Sequence, residues 1–195
     1  MKFAPHPTTA FTTKVRGIVP VLQNQIHVSE VYDPKSGGPE PTRRPYIAIW
    51  DTGATGTVIS RNIAQELNIQ PTGRVRVRAV GAGDQVNEYE TNTYLVNVYL
   101  PNNVAIVGVR ASEGTVGDAD VLLGMDIITG GDFAITNHDG ETHWTFRFPS
   151  NESIDFVEEI NEYNKKHPQR PPVNPEELRK QRNREKAERQ RRRGK

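Results

Sequence analysis

Short apolar segments separated by turn-forming residues run along most of the chain, which is the pattern typical of β-strands. Residues 46–50 (YIAIW) are continuously apolar, as expected of a strand buried on both faces, and residues 74–80 (RVRVRAV) alternate strictly. Asp139-Gly140 predicts the turn of a β-hairpin over 132–148. Further strands are predicted over 94–100, 104–109 and 133–136, with one or two more over 14–31. The pattern therefore predicts an all-β domain of short strands.

Two short helices are predicted between these strands. Ser60 can cap the first helix, in which Ile63 and Leu67 fall on one face and which ends at Asn68. The second helix is very short and begins after Gly124. We expect both helices to connect strands of the domain.

The composition changes after residue 150. Residues 151–166 are predicted to contain a short helix, because their apolar side chains recur at helical spacing. Residues 167–175 then contain four prolines, and a final helix is predicted beyond them. We therefore divide the chain into an N-terminal segment (1–13), the all-β domain (14–150), the short helix (151–166) and a basic tail, helical or disordered (167–195).

The formal net charge of +1 hides an uneven distribution. Residues 165–195 contain thirteen basic and four acidic residues, whereas residues 1–164 carry a net charge of −8. One interpretation is a solvated, partly helical tail. The alternatives are association with RNA or the ribosome, docking to an acidic partner, and folding back onto the acidic body.

Composition excludes several kinds of site. The absence of cysteine excludes disulfide frameworks, zinc ribbons, iron–sulfur clusters and thiol nucleophiles. The five histidines have no paired ligand spacing, so we expect no metal and no cofactor. The sequence shows neither the apolar core of a signal peptide nor an apolar stretch of about 18 residues. We therefore expect a soluble cytoplasmic protein that does not bind a membrane.

Candidate chemistry begins where the apolar strand 46–50 ends. Asp51 opens the segment DTGATGTVIS (51–60). A carboxylate at the end of an apolar strand needs compensating hydrogen bonds, and Gly53 and Gly56 allow backbone N–H groups to approach it closely. On these residues alone, a strand-to-turn exit whose aspartate only bonds its own loop is the simpler interpretation.

A second apolar segment ends in Leu122-Leu123-Gly124 and enters the short helix. Together with the earlier DTGA, it resembles the retropepsin-like aspartic peptidases over residues 14–150. The resemblance implies an acid protease barrel with one lobe per chain, in which the later segment threads beside the catalytic loop in a ψ-shaped arrangement. The predicted hairpin over 132–148 is more similar to bacterial and cellular members than to viral ones.

The same resemblance assigns roles to residues around the aspartate. It implies that Asp51 is catalytic, that the Thr52 hydroxyl ties two catalytic loops together across a dimer, and that Gly53 and Ala54 support the loop.

A glycine-rich segment also has a counterpart in the family. Val80-Gly81-Ala82-Gly83 stands where the family has its flap, a glycine-tipped hairpin that closes over an extended peptide. An ordinary hairpin turn explains these four residues equally well.

Aspartic peptidases need two carboxylates that share one proton. Asp-Thr-Gly occurs once in this chain, so a two-fold homodimer must supply Asp51 from each subunit. The sequence therefore predicts a homodimeric aspartic endopeptidase that activates water to hydrolyse a peptide or protein substrate. The alternative is a non-catalytic peptide-binding or scaffold module of the same fold, whose basic tail docks to nucleic acid or an acidic partner.

Overall fold

A computed structural model describes residues 8–32, 38–80 and 86–167, which are mostly β-structure. The strands are β1 (Thr9–Arg16), β2 (Gln23–Glu30), β3 (Arg44–Trp50), β4 (Val58–Ile59), β5 (Gly73–Val80), β6 (Val86–Leu100), β7 (Val104–Glu113), β8 (Val121–Leu123), β9 (Asp132–His138) and β10 (Glu141–Phe148). The α-helices are α1 (Arg61–Glu66), α2 (Met125–Ile128) and α3 (Phe156–Lys166). The all-β prediction is confirmed, together with the hairpin over 132–148 and the short helix after Gly124.

Six strands close into a small barrel in the order β2-β3-β8-β4-β7-β6, with β6 hydrogen-bonded back to β2. Strand β5 pairs antiparallel with β6 and extends this sheet beyond the barrel. Strands β1, β10 and β9 form a separate three-stranded sheet. Because β1 begins at Thr9, that sheet includes residues that precede the predicted domain start at residue 14.

The barrel encloses much of the hydrophobic core, which continues to Trp144 and Phe146 of the three-stranded sheet. Ile26, Val28 and Ala48 are completely buried inside it. On the opposite face of β3, the side chain of Ile47 is 42% exposed. The prediction that residues 46–50 are buried on both faces is therefore wrong, because one face of β3 points out of the barrel.

Helix α1 follows Ser60 as predicted, but the predicted cap is wrong. The Ser60 hydroxyl makes no capping hydrogen bond; it is buried and has no partner among the described residues. The backbone N–H of Ser60 donates instead to the carbonyl of Asp120 at 2.9 Å. Burial of Ile63 and Ala64 against the core stabilises the helix.

One buried amide joins the barrel to the three-stranded sheet. The Oδ1 atom of Asn24 in β2 accepts hydrogen bonds from Trp50 Nε1 at 2.8 Å and from Trp144 Nε1 at 3.0 Å. Its Nδ2 donates to Thr13 Oγ1 at 2.7 Å. Trp50 also stacks on Phe133 of β9, with 5.0 Å between the ring centroids. The residue that precedes Asp51 is thus fixed by polar and aromatic contacts to both sheets.

A polar clamp fastens the start of β9 to the chain that follows β10. Asp132 accepts hydrogen bonds from Ser150 Oγ at 2.6 Å and from the Asn151 backbone N–H at 3.0 Å. It also forms an ion pair with Arg147. These hydrogen bonds, those of Ser150 and Asn151 foremost, and the Arg147 charge lower the pKa of Asp132 to about 2.

Residues from Ser153 onward form a second unit. Its helix α3 lies inside the range 151–166 where a helix is predicted. The Asp155 carboxylate caps α3 by accepting from the Val157 backbone N–H at 2.8 Å. The prediction for the tail beyond His167 lies outside the described residues. No helix in 8–32, 38–80 or 86–167 is long and apolar enough to cross a membrane.

We expect Asn24→Leu to lower the free energy of unfolding by about 3 kcal/mol, because both indole N–H groups would lose their acceptor in a buried site. Urea unfolding followed by tryptophan fluorescence measures this change. The matched control is Gln25→Leu at the neighbouring exposed position of β2, for which we expect a change within about 0.5 kcal/mol. Equal stability of the two variants would contradict a structural role for the amide.

Candidate active site

The candidate aspartate stands at the carboxyl end of β3, next to the end of β8. The Asp51 backbone N–H donates to the carbonyl of Leu123 at 3.0 Å, which fixes where the loop begins. The Gly53 backbone N–H donates to Asp51 Oδ1 at 2.8 Å. A Cβ atom on residue 53 would lie only 3.1 Å from that oxygen, so glycine allows the approach. The partly exposed carboxylate is therefore held by its own loop while it faces solvent.

Leu122, Leu123 and Gly124 lie beside this loop. Strand β8 pairs parallel with β3 and antiparallel with β4. It therefore lies between the strand that precedes the aspartate loop and the strand that follows it. A Cβ atom on residue 124 would come within 2.6 Å of the Gly56 backbone. The Met125 backbone N–H donates to the carbonyl of Ala54 at 2.8 Å. The two segments that carry the family resemblance are thus in direct backbone contact.

A second carboxylate braces the loop from behind. Asp126 in α2 accepts from the Thr57 backbone N–H at 3.0 Å and from Thr57 Oγ1 at 2.9 Å. Thr57 is 1% exposed, whereas Asp126 is exposed, so the two hydrogen bonds are partly buried. The sequence pattern predicts no role for either residue. The available signal was an acidic residue in the first turn of a predicted helix.

The other predicted site residues are distributed as follows. Thr52 is exposed, and its hydroxyl makes no hydrogen bond within the described part of one chain. The backbone of Val80 ends β5, so it lies on the strand that borders the cleft. Gly81, Ala82 and Gly83 lie outside the described residues, and their flap role stays a prediction. No metal-binding group of three His, Asp or Glu side chains occurs in the described ranges.

Asp51 opens into a cleft of about 890 Å³. Apolar side chains of several strands line it, namely Val58, Val75, Val77 and Leu122. The hairpin of β5 and β6 forms one wall, and the aspartate loop forms the floor. Five consecutive residues of β5, 74–78, line the cleft, which is the length of a short extended peptide.

An apolar surface adjoins the aspartate loop on another side. Its side chains include Val21, which is 49% exposed, and Ile135 of β9, which is 46% exposed. Ile49 and Phe133 complete this apolar surface, and Asp51 and Thr52 lie at its border. Apolar side chains clustered beside a polar site are typical of a surface that another molecule covers.

We expect Gly124→Ala to lower the free energy of unfolding by about 3 kcal/mol or more, because the added methyl group would overlap the Gly56 backbone. Chemical denaturation measures the change. Gly56→Ala is the matched control: a Cβ atom there meets nothing within 4 Å, so we expect a loss of at most about 1 kcal/mol. Similar losses of stability in the two variants would show that the close approach to the Gly56 backbone does not restrict residue 124 to glycine.

This chain is similar to a known protein family and to a solved structure. Residues 42–129 match the model of a family described as gag-polyprotein putative aspartyl protease. Among solved structures, the crystal structure of a retropepsin-like aspartic protease from Rickettsia conorii is similar at 13% sequence identity and a TM-score of 0.44, covering 74% of this chain and 98% of that one. No curated protein sequence matches significantly.

The family match covers the segment that contains both Asp51 and Leu122-Leu123-Gly124. The predicted resemblance to retropepsin-like aspartic peptidases is thereby confirmed, and the barrel agrees with it. The greater similarity to bacterial and cellular members stays a prediction.

Proposed function

We propose that this retropepsin-like chain is an aspartic endopeptidase, which hydrolyses peptide bonds between the Asp51 carboxylates of two identical subunits. The observation that carries the proposal is the position of Asp51. Its carboxylate faces a peptide-sized cleft. The Gly53 backbone N–H donates a hydrogen bond of 2.8 Å to Asp51 Oδ1 and so fixes the orientation of the carboxylate. A catalytic group must combine access with a fixed geometry.

One carboxylate cannot perform the reaction alone. With two carboxylates in close contact, like-charge repulsion keeps one protonated while the other is ionised. The ionised Asp51 takes a proton from water, and the neutral one donates a hydrogen bond to the scissile carbonyl. The hydroxide equivalent attacks the carbonyl carbon, and the proton passes to the leaving amine. A second copy of the chain therefore supplies the missing group.

The apolar surface supports this pairing. Val21 and Ile135 expose apolar area next to Asp51 and Thr52, where the second aspartate loop would have to stand. Covering these side chains with an identical surface would remove apolar area from water and bring the two loops together. Thr52, at the border of this surface, is placed to contact the partner loop.

We expect Asp51→Asn to abolish peptide cleavage, with a loss of about 10⁴-fold or more in kcat, because an amide cannot accept the proton from water. Cleavage of a fluorogenic peptide library by the two purified proteins measures the loss. Circular dichroism and molecular mass in solution serve as controls and should not change. Undiminished cleavage by the variant would refute the proposal.

Mixing the two proteins gives a sharper version of this experiment. After subunit exchange between equal amounts, only about a quarter of the dimers would be wild-type homodimers. Activity per wild-type chain should therefore fall by about half. If activity per wild-type chain stayed constant, each chain would work alone. A stable dimer that binds peptides but never cleaves them would favour the scaffold alternative.

We expect Ile135→Asp to convert the dimer to a monomer and to abolish cleavage at the same time, because a charge would be buried in the subunit contact. Sedimentation and activity assays measure both effects over the same concentration range. Val107→Asp is the matched control, since Val107 is 72% exposed on a strand away from the apolar surface. An active dimer of the Ile135 variant would place the subunit contact elsewhere.

A further inference from the structure

The cleft carries cations that the proposed hydrolysis does not use. Arg110 of β7 lines the same cleft as Asp51, and so do Arg74, Arg76 and Arg78 of β5. Ser112 of β7 and Gly114, just beyond the end of the strand, line the cleft as well, so this face of β7 points into it. Side chains of cross-strand partners lie on the same face, and Thr93 is opposite Ser112. Arg110 and Thr93 thus share the cleft face of the sheet.

The acidic residues of the neighbouring hairpin lie on the other face. Glu88 and Glu90 of β6 stand opposite Arg78 and Arg76 of β5. Glu90 also lies 3.8 Å from Arg74. Because side chains alternate between faces along β6, these glutamates point away from the face that carries Thr93. They therefore share a face of the hairpin with the arginines of β5, whereas Arg110 shares the face that carries Thr93.

Arg110 has no ion pair within the described residues. The ion pairs found in 8–32, 38–80 and 86–167 all involve basic side chains other than Arg110. Asp51 is the one carboxylate among the described residues that line the cleft. The exposed guanidinium offers several N–H donors and suits a planar carboxylate.

A second polar group lies beside this guanidinium. Thr93 is 3% exposed, and its Oγ1 has no hydrogen-bond partner among the described residues. A methyl group added to Gly73 would lie 3.4 Å from Thr93 Oγ1 and 3.6 Å from Arg110 Nη2. Both polar atoms therefore border the same methyl-sized space beside Gly73. A buried hydroxyl without a partner is costly unless a ligand satisfies it.

We propose that Arg110 and Thr93 form a subsite for an acidic side chain of the peptide. The inference rests on the proposed endopeptidase function and narrows its substrates. They are extended segments with a Glu or Asp side chain at one position, while Val58, Val75 and Leu122 contact apolar residues at the others. The carboxylate would accept hydrogen bonds from the guanidinium and from the threonine hydroxyl.

The experiment uses the full-length chain and sets of fluorogenic peptides that are identical except for Glu, Gln or Lys at one position, which is moved along the peptide. We expect wild-type kcat/KM for at least one position to be about ten-fold higher with Glu than with Gln, and lowest with Lys. Arg110→Gln should bring the Glu-to-Gln ratio close to one, and Arg110→Glu should favour Lys. Thr93→Val should reduce the preference for Glu without reversing it. Arg16→Gln, an exposed arginine of β1, is the matched control and should keep the wild-type ratio.

The outcomes separate this inference from the proposed function. If cleavage depends on Asp51 but shows no preference for Glu, or if Arg110→Gln retains the preference, the subsite is wrong and the endopeptidase stands. If no peptide is cleaved, binding of the same peptides to the Asp51→Asn protein, measured by fluorescence anisotropy, tests the subsite. If the Asp51→Asn protein binds the Glu peptide more tightly than the Gln peptide, and the Asp51→Asn/Arg110→Gln double variant does not, the subsite is supported and the proposed hydrolysis is wrong. Absence of any peptide binding would overturn both.

Discussion

The amide of Asn24 is the contact on which the geometry of the site depends. It is 7% exposed and accepts hydrogen bonds from the indoles of Trp50 and Trp144, one in the barrel and one in the three-stranded sheet. Indole N–H groups in a buried site need an acceptor, and a single oxygen serves both. The backbone that leaves Trp50 becomes the aspartate loop. The position of the strand end from which Asp51 projects therefore depends on how the two sheets are joined.

A second constraint acts from the other side of the loop. The absence of a side chain at Gly124 lets its backbone approach that of Gly56, and in this arrangement Asp126 reaches Thr57. The loop is thus enclosed between β3, β8 and the start of α2. Hydrogen bonds at Asp51, Ala54 and Thr57 hold its backbone, as is required of a group that must be held in one orientation before the substrate arrives.

The sequence predicted the features that recur at short spacing. Alternation and turn residues located the strands, and the order of DTGA and Leu122-Leu123-Gly124 indicated the loop and its neighbour. It could not predict the contact between Thr57 and Asp126, which are 69 residues apart and meet only because glycine backbones pack closely. The role of Asn24 was equally hidden, since QNQ at the start of β2 shows no apolar alternation.

Burial explains the remaining differences. An apolar run such as 46–50 predicts a strand, but it does not say whether both faces are covered within one chain. The outward side chains Ile47 and Ile49 belong to a barrel with one inner face, and Ile49 joins the apolar surface. Arg110 was not singled out by the sequence, because its significance comes from the face of β7 on which it lies.

The clamp around Asp132 has a consequence for behaviour in acid. An aspartate in an unfolded chain has a pKa near its ordinary value of 3.8, whereas in the folded protein the pKa is about 2. The stabilisation from this carboxylate is therefore present above about pH 4 and is lost progressively as the pH falls from about 4 through about 2. Because β9 carries Phe133 and Ile135, the strand that bears this apolar surface keeps its fastening in mildly acidic solution and loses it as the pH approaches 2.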